Sequence, residues 1–292
     1  MRILVTGAGG QLGYDIMREL SRRGHEVIGT EVSAKDASLV RMDITDRDQV
    51  MAVMGQTRPE AVIHCAAWTA VDLAEDPENR EKVFAINAEG TRNVAEAAKA
   101  VGAVIMYIST DYIFDGRGTE PWKPEDRAFH PLNVYGESKL AGEKAVEELS
   151  DRYFIVRIAW VFGVNGNNFV KTMMRIGASY DTIRVVNDQI GTPTYTEDLS
   201  VLLADMIVTD RYGIYHATNE GGYISWYDFA TEIFRQAGYT TKVIPVTTAE
   251  YGLSKAARPF NSRLDKSKLT ERGFVPLPEW KDALRRFLAA IL

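Results

Sequence analysis

Along this chain, short continuous apolar runs alternate with longer stretches whose apolar residues recur every three or four positions. Residues 3–5 form the first run and stop at Thr6-Gly7. From 11 to 23, Leu12, Ile16 and Leu20 share one helical face. The same reading predicts a strand at 27–29, a short helix at 46–54 capped by Asp46, and a buried strand at 61–67. It then predicts a long helix at 77–101, a strand at 104–108, a helix at 135–149 and a strand at 153–158. Strands and helices alternating at this spacing predict a parallel sheet with right-handed crossovers. Runs such as AVIHCAA (61–67) and AVIMYIS (103–109) suit strands covered on both faces.

The expected fold class is therefore α/β, a Rossmann-like doubly wound parallel sheet over residues 1–160. Residues 161–292 are less regular and read as a smaller C-terminal substrate-binding lobe, partly interleaved with the sheet. That lobe carries strands at 184–186 and 214–216 and helices from Glu197, Ser225 and Pro278.

Composition acts mainly by exclusion. With 46% hydrophobic and 25% charged residues, the chain is not a disordered or low-complexity one. A net charge of -6 and the lack of a basic run argue against nucleic acid as a partner. No apolar stretch approaches the roughly 18 residues of a membrane span, so no membrane partner is expected. Cys65 is the only cysteine, and no secretory signal precedes the first strand, so a cytoplasmic, reducing compartment is expected. Cys65 and His64 read as core residues of a strand, and the four histidines lack metal-ligand spacing.

The turn Gly7-Ala8-Gly9-Gly10-Gln11-Leu12-Gly13 lies between a predicted strand and a predicted helix. Glycines there permit a sharp turn and let backbone N–H groups approach a pyrophosphate at the helix N-terminus. Gly7, Gly10 and Gly13 are spaced one residue wider than G-x-G-x-x-G. Glu31, 18 residues after Gly13, suits a ribose 2′-hydroxyl and disfavours a 2′-phosphate. Lys35 nearby keeps NADP in view, so the cofactor is NADH or NADPH, with Glu31 favouring NADH. Asp43-Ile44 follows the third strand, where an adenine would be flanked.

Tyr135 and Lys139 stand at i and i+4 on one helical face. A nearby ammonium and an oxidised nicotinamide are expected to pull the phenol toward neutrality. Ser109-Thr110-Asp111 falls just past a buried strand, at the carboxyl edge where open α/β sheets bind ligands.

With these motifs the chain resembles the extended short-chain dehydrogenase/reductases, and among them the dTDP-4-dehydrorhamnose reductase family. The resemblance rests on GAGGQLG (7–13), MDITD (42–46), HCAAWTAVDLAE (64–75), NAEGT (87–91) and STDYIFDG (109–116). It continues through YGESKLAGE (135–143), RIAWVFG (157–163), DQIGTPTYTEDL (188–199) and RPFNSRLDKSKL (258–269). It implies reduction of a nucleotide-linked 4-keto sugar, with Tyr135 as proton donor and Thr110 polarising the same oxygen. Lys139 would bind the nicotinamide ribose and tune Tyr135. Asp111, Tyr112 and Trp160 would line the sugar, and Gly10, Gln11, Leu12, Ala66, Ala67 and Thr69 the cofactor. Asn87 would complete a proton relay. Related dehydratases carry Asp-Glu where this chain has Asp111-Tyr112, so elimination of water lacks its base. The alternatives are a reductase or epimerase of another nucleotide sugar, or a non-catalytic NADP-binding subunit.

The resemblance offers Asp15 and Glu197 as holders of a divalent ion, Mg2+, between subunits, but Asp15 is shorter than the glutamate it calls for, and the expectation is no metal site. The assembly is expected to be a monomer or a homodimer. Trp122 and Trp226 read as packing residues, and Arg258 and Arg263 as either diphosphate partners or surface ion pairs.

Overall fold

The computed structural model describes residues 1–33 and 36–292, so Lys35 lies outside the described residues. Seven strands form one parallel sheet: β1 (Arg2–Thr6), β2 (Glu26–Glu31), β3 (Val40–Arg41), β4 (Ala61–His64), β5 (Val104–Thr110), β6 (Tyr153–Ile158) and β7 (Gly213–His216). Their order is β7-β6-β5-β4-β1-β2-β3, so the chain winds outward in both directions from β1 and β4. All six pairings are parallel, as the alternation of strands and helices predicted.

The pleat explains the continuous apolar runs. Ile3, Val5, Met106, Ile108 and Val156 face one layer, built by Ile16 and Leu20 of α1 (Gln11–Arg22) and by Leu199 and Leu203 farther along the chain. Leu4, Val62, Ile105 and Ile155 face the other. That second layer is built by α2 (Arg47–Thr57), α3 (Gly90–Val101) and α4 (Val134–Leu149), through Val50, Met54, Val94, Ala98 and Val146. A strand buried on both faces has no polar side to alternate with.

The second half of the chain contributes to both regions. Helix α5 (Thr196–Ile207) packs on α1, and β7 extends the main sheet. A separate core of Phe162, Tyr195, Phe229, Trp280 and Phe287 lies beside the parallel pair Thr182–Val186 and Lys242–Val246.

Two expectations are corrected. The strand expected over 61–67 ends at His64: Cys65 N still reaches Thr6 O of β1 at 3.3 Å, but Ala66 N and Trp68 N donate to the side chains of Thr6 and Asn87. The single helix expected over 77–101 is a 3₁₀ turn, a short α-helix, a π-helical turn at Ala85–Glu89, and α3. Asn87, inside the π turn, has its side chain bonded to the 68 peptide and to Ser138, which explains the local widening.

Candidate active site

Strands β1, β4 and β5 end along one edge of the sheet, with Thr6 beside His64 and His64 beside Tyr107. The glycine turn leaves β1 at this edge. Gly7 adopts φ +63°, and its carbonyl accepts from Gly10 N at 2.9 Å. A side chain at Gly13 would begin 2.1 Å from that carbonyl, and one at Gly7 would begin 2.8 Å from the Ala66 backbone. The turn therefore closes only with glycine at both places.

Gly10 caps α1 without a side-chain hydrogen bond, so the first-turn N–H groups gain no acceptor from the cap. Glu31 reaches the turn, accepting from Gly9 N at 3.2 Å and Val32 N at 3.0 Å. Ala66 and Ala67 are half-buried beside the turn, and Thr69 is exposed. Gln11 is half-buried and Leu12 buried at the start of α1. Asp43 accepts from the Thr45 backbone and hydroxyl, while Ile44 is buried against Gly90. These groups fit a dinucleotide, with uncapped N–H groups for phosphate and a carboxylate for ribose hydroxyls. The Asn-rich loop GVNGNN also reaches this place, and sequence reasoning passed it over. Asn165 Nδ2 donates to Gly9 O at 2.9 Å, and Asn168 Nδ2 donates to Gln11 Oε1 at 2.9 Å.

Thr110 ends β5. Its hydroxyl accepts from Tyr112 N at 3.2 Å and donates to Asp111 Oδ1 at 3.1 Å. Helix α4 starts directly against this turn, because Gly136 has no Cβ to meet Tyr112 O, which would lie only 2.3 Å away. Asn133 caps the helix by accepting from Gly136 N at 2.8 Å, and it donates to Ala257 O at 2.8 Å. The close approach brings Tyr135 edge-on to Tyr112, with ring centroids 5.7 Å apart.

Lys139 Nζ donates to Ile108 O at 2.7 Å and lies 4.0 Å from the centre of the Tyr107 ring. Burial pulls Lys139 down to about 7, opposed by Glu143. Burial likewise raises the Tyr135 phenol above its ordinary value, and the Thr110 hydroxyl opposes it. The Asp111 carboxyl is buried and pushed up to about 6 by desolvation, and its Oδ2 has no hydrogen-bond partner among the described residues.

Trp160 follows β6 with φ +51°, a left-handed backbone unusual for a bulky residue. Its ring stacks on Trp226, centroids 3.7 Å apart and planes 14° apart. A side chain at Gly191 would press on the Trp160 ring at 2.9 Å. Trp226 packs as expected, stacked on Trp160 and set against Phe169 and Phe229.

Asn87, the pair Asp15 and Glu197, and the pair Arg258 and Arg263 stand as follows. The Asn87 side chain accepts from Trp68 N at 2.8 Å and donates to Trp68 O at 3.1 Å and Ser138 Oγ at 2.9 Å. Those bonds use both its amide protons. Asp15 is buried and accepts from the Thr196 hydroxyl, while Glu197 lies 3.9 Å from Arg286. No group of three potential ligands forms among the described residues. Arg258 makes a two-point ion pair with Asp72, at 3.0 and 2.7 Å, and Arg263 donates to Asn261 at 2.9 Å.

Comparison with known proteins matches this geometry to a family. The model of the RmlD substrate binding domain matches residues 1–292. A dTDP-4-dehydrorhamnose reductase of Streptomyces griseus is 43% identical, over 99% of this chain and 94% of the relative. The crystal structure of a dTDP-4-dehydrorhamnose reductase from Clostridium acetobutylicum superposes with a TM-score of 0.93 at 43% identity, covering 100% of this chain and 99% of that one. The Bacillus anthracis reductase, solved in complex with NADP, superposes with a TM-score of 0.92 at 44% identity, covering 99% of each chain. This chain belongs to the RmlD substrate-binding-domain family, the family of the dTDP-4-dehydrorhamnose reductases.

Proposed function

We propose that this chain is an oxidoreductase that reduces the C4 ketone of dTDP-4-dehydro-L-rhamnose to dTDP-L-rhamnose, using NADH or NADPH. The observation that carries the reading is the meeting of Thr110 and the protonated Tyr135 at the carboxyl edge of the sheet, beside a glycine turn fit for a dinucleotide. When bound, the dinucleotide supplies a hydride to C4. The chain supplies the proton and the environment.

Tyr135 gives its phenolic proton to the ketone oxygen as that oxygen gains charge, and Thr110 donates a hydrogen bond to the same atom. A raised phenol pKa keeps that proton in place until the oxygen becomes basic enough to take it. Lys139, with its ammonium held by Ile108 O and the Tyr107 ring, turns toward the ribose when the dinucleotide arrives. Asp111, with an unpartnered oxygen, and Tyr112 receive the sugar hydroxyls, and Trp160 covers a sugar face. Gly7, Gly10, Gln11, Leu12 and Gly13 hold the pyrophosphate, Glu31 the adenosine ribose, and Asp43, Ile44, Ala66, Ala67 and Thr69 the rest of the cofactor groove. Residues 1–160 form the cofactor half and 161–292 mainly the substrate half. The chain works as a monomer or a homodimer. A cytoplasmic location suits its single cysteine, and no helix among the described residues is long and apolar enough to cross a membrane.

The test is an absorbance assay at the reduced-nicotinamide band. The substrate is generated in situ by the upstream dehydratase and epimerase, and each cofactor is tried in turn. Consumption of one reduced dinucleotide per ketone supports the reading. Binding without consumption assigns a non-catalytic role, and conversion without added reductant assigns an epimerase.

A further inference from the structure

The reaction as proposed makes no use of His64, although it is buried at the end of β4 with both ring nitrogens engaged. Nδ1 lies 2.6 Å from the Thr6 hydroxyl, and Nε2 lies 3.1 Å from the Thr91 hydroxyl. The direction of each proton follows from the ends of this chain. The Thr91 hydroxyl lies 2.7 Å from Asn87 O, and with its proton donated there it accepts from His64. Nε2 therefore carries the hydrogen, and Nδ1 is the bare nitrogen that accepts from Thr6. The Thr6 oxygen in turn accepts from Ala66 N at 3.2 Å. Past Asn87 the chain continues, as Asn87 Nδ2 donates to Ser138 Oγ and Ser138 donates to Tyr135 O at 2.7 Å.

Thr6, His64, Thr91, Asn87 and Ser138 are each exposed by 1% or less. Buried polar groups of this kind are costly to leave unpaired, so a fully satisfied set favours one arrangement of the elements that carry it. Those elements are the end of β1, the end of β4, the π turn and the first turns of α4. Segment 65–68 has no strand or helix to hold it. Ala66 is tied to Thr6, and both polar groups of the 68 peptide are tied to Asn87. This is the segment against which Gly7 packs without room for a side chain. Burial and the nearby Lys139 charge hold the His64 ring neutral, down to a pKa of about 3, so the pattern does not change across the physiological range.

We propose that His64 is a positioning residue which, through this one-way chain, holds the floor of the dinucleotide groove in register with the helix carrying Tyr135 and Lys139. The proposal rests on the dinucleotide reading above and adds to it the part that fixes the distance between hydride donor and acceptor. A shift between these two elements would alter cofactor affinity and hydride transfer together, and would leave the nucleotide-sugar contacts of the second lobe in place.

The experiment uses the full chain and its variants His64→Leu, His64→Gln, Thr91→Val and the double variant His64→Leu/Thr91→Val. Dinucleotide affinity is read by protein fluorescence without sugar present. Hydride transfer is read in single turnover at saturating dinucleotide, and thermal unfolding is followed in parallel. His64→Leu is expected to weaken dinucleotide binding about tenfold and to slow hydride transfer by a similar factor, with the sugar KM within about twofold of wild type. His64→Gln, whose carboxamide carries an acceptor and a donor about as far apart as the ring nitrogens, is expected to recover most of both. The double variant is expected to be no worse than His64→Leu, since both break the same chain. A folded His64→Leu with wild-type affinity and hydride rate overturns the proposal, as do additive effects in the double variant. Should His64→Leu fail to fold, Thr91→Val decides, and unchanged affinity and rate there overturn it equally. A wild-type chain that binds no reduced dinucleotide overturns the reading of the site, and this inference with it.

Discussion

Arg157 on β6 and Glu143 on α4 meet through two parallel hydrogen bonds, Nε to Oε1 at 2.9 Å and Nη2 to Oε2 at 2.8 Å, with both side chains buried. Glu143 lies one helical turn beyond Lys139, and Arg157 precedes Trp160 by three residues. The pair thus joins the two elements that bring the amine and the indole to the site. The guanidinium is also satisfied by Pro124 O at 3.1 Å and lies 5.3 Å from each of the Phe114 and Phe129 rings.

Removing one partner of such a pair strands a buried charge. Arg157→Met is expected to cost about 3–5 kcal/mol of stability, because Glu143 keeps its desolvation and loses its counter-charge. The double variant Arg157→Met/Glu143→Leu is expected to recover a large part of that loss. Urea unfolding of the three proteins checks both statements, and a double variant as unstable as the single one would refute the account.

Tyr135→Phe is expected to lower kcat by about 10²-fold or more while leaving the thermal midpoint near that of the wild type. On the proposed reading the hydroxyl is the proton source, and its removal costs no packing. The pH profile offers a second check. Because burial raises the Tyr135 pKa, a spectroscopic titration of the free protein should show no ionisation of Tyr135 near neutral pH.

Asp111→Asn separates stability from activity. The folded-state pKa of Asp111 is raised from 3.8 to about 6, so the native protein holds this proton at a pH where the unfolded chain has lost it. Its contribution is most favourable below the unfolded pKa and is lost as pH rises through about 6. The amide keeps the size and removes the charge, so the variant should be more stable at pH 7 by up to about 3 kcal/mol, with the gain vanishing near pH 4. On the proposed reading, in which Asp111 receives a sugar hydroxyl, activity should fall in the same variant. Denaturant curves at the two pH values, beside steady-state rates, test the opposition.

Much of this was legible in the sequence because its cause is local. Continuous apolar runs gave the parallel strands, and the spacing of Gly7, Gly10 and Gly13 marked a turn whose close approaches leave no room for side chains at Gly7 and Gly13. Tyr135 and Lys139 were recognisable at i and i+4, as was Thr110 at a strand end. What periodicity could not carry was anything set by contacts between distant segments. The π turn at Asn87 depends on Trp68 and Ser138, 19 and 51 residues away. The link from Asn165 to the glycine turn spans 156 residues. The direction of the Lys139 ammonium depends on a carbonyl of β5, and an i, i+4 spacing says nothing of it. The resemblance carried the site further than the pattern did.

Glu31 makes the sharpest statement about the cofactor. Its carboxylate is anchored by Gly9 N and Val32 N at the end of β2, so the charge is fixed in place beside the glycine turn. A ribose 2′-hydroxyl can donate to that carboxylate, whereas a 2′-phosphate brings a second negative charge to the same place. Glu31→Gln keeps the shape and removes the repulsion. It is expected to raise kcat/KM for NADPH relative to NADH by about tenfold, mainly through the KM for NADPH. Because the charge is half-buried and anchored, salt should narrow the wild-type preference only partly. Steady-state rates with both dinucleotides at low and high ionic strength measure this directly. An unchanged ratio in Glu31→Gln would mean that the carboxylate serves the turn itself, and that selectivity between the two dinucleotides is set elsewhere along the groove.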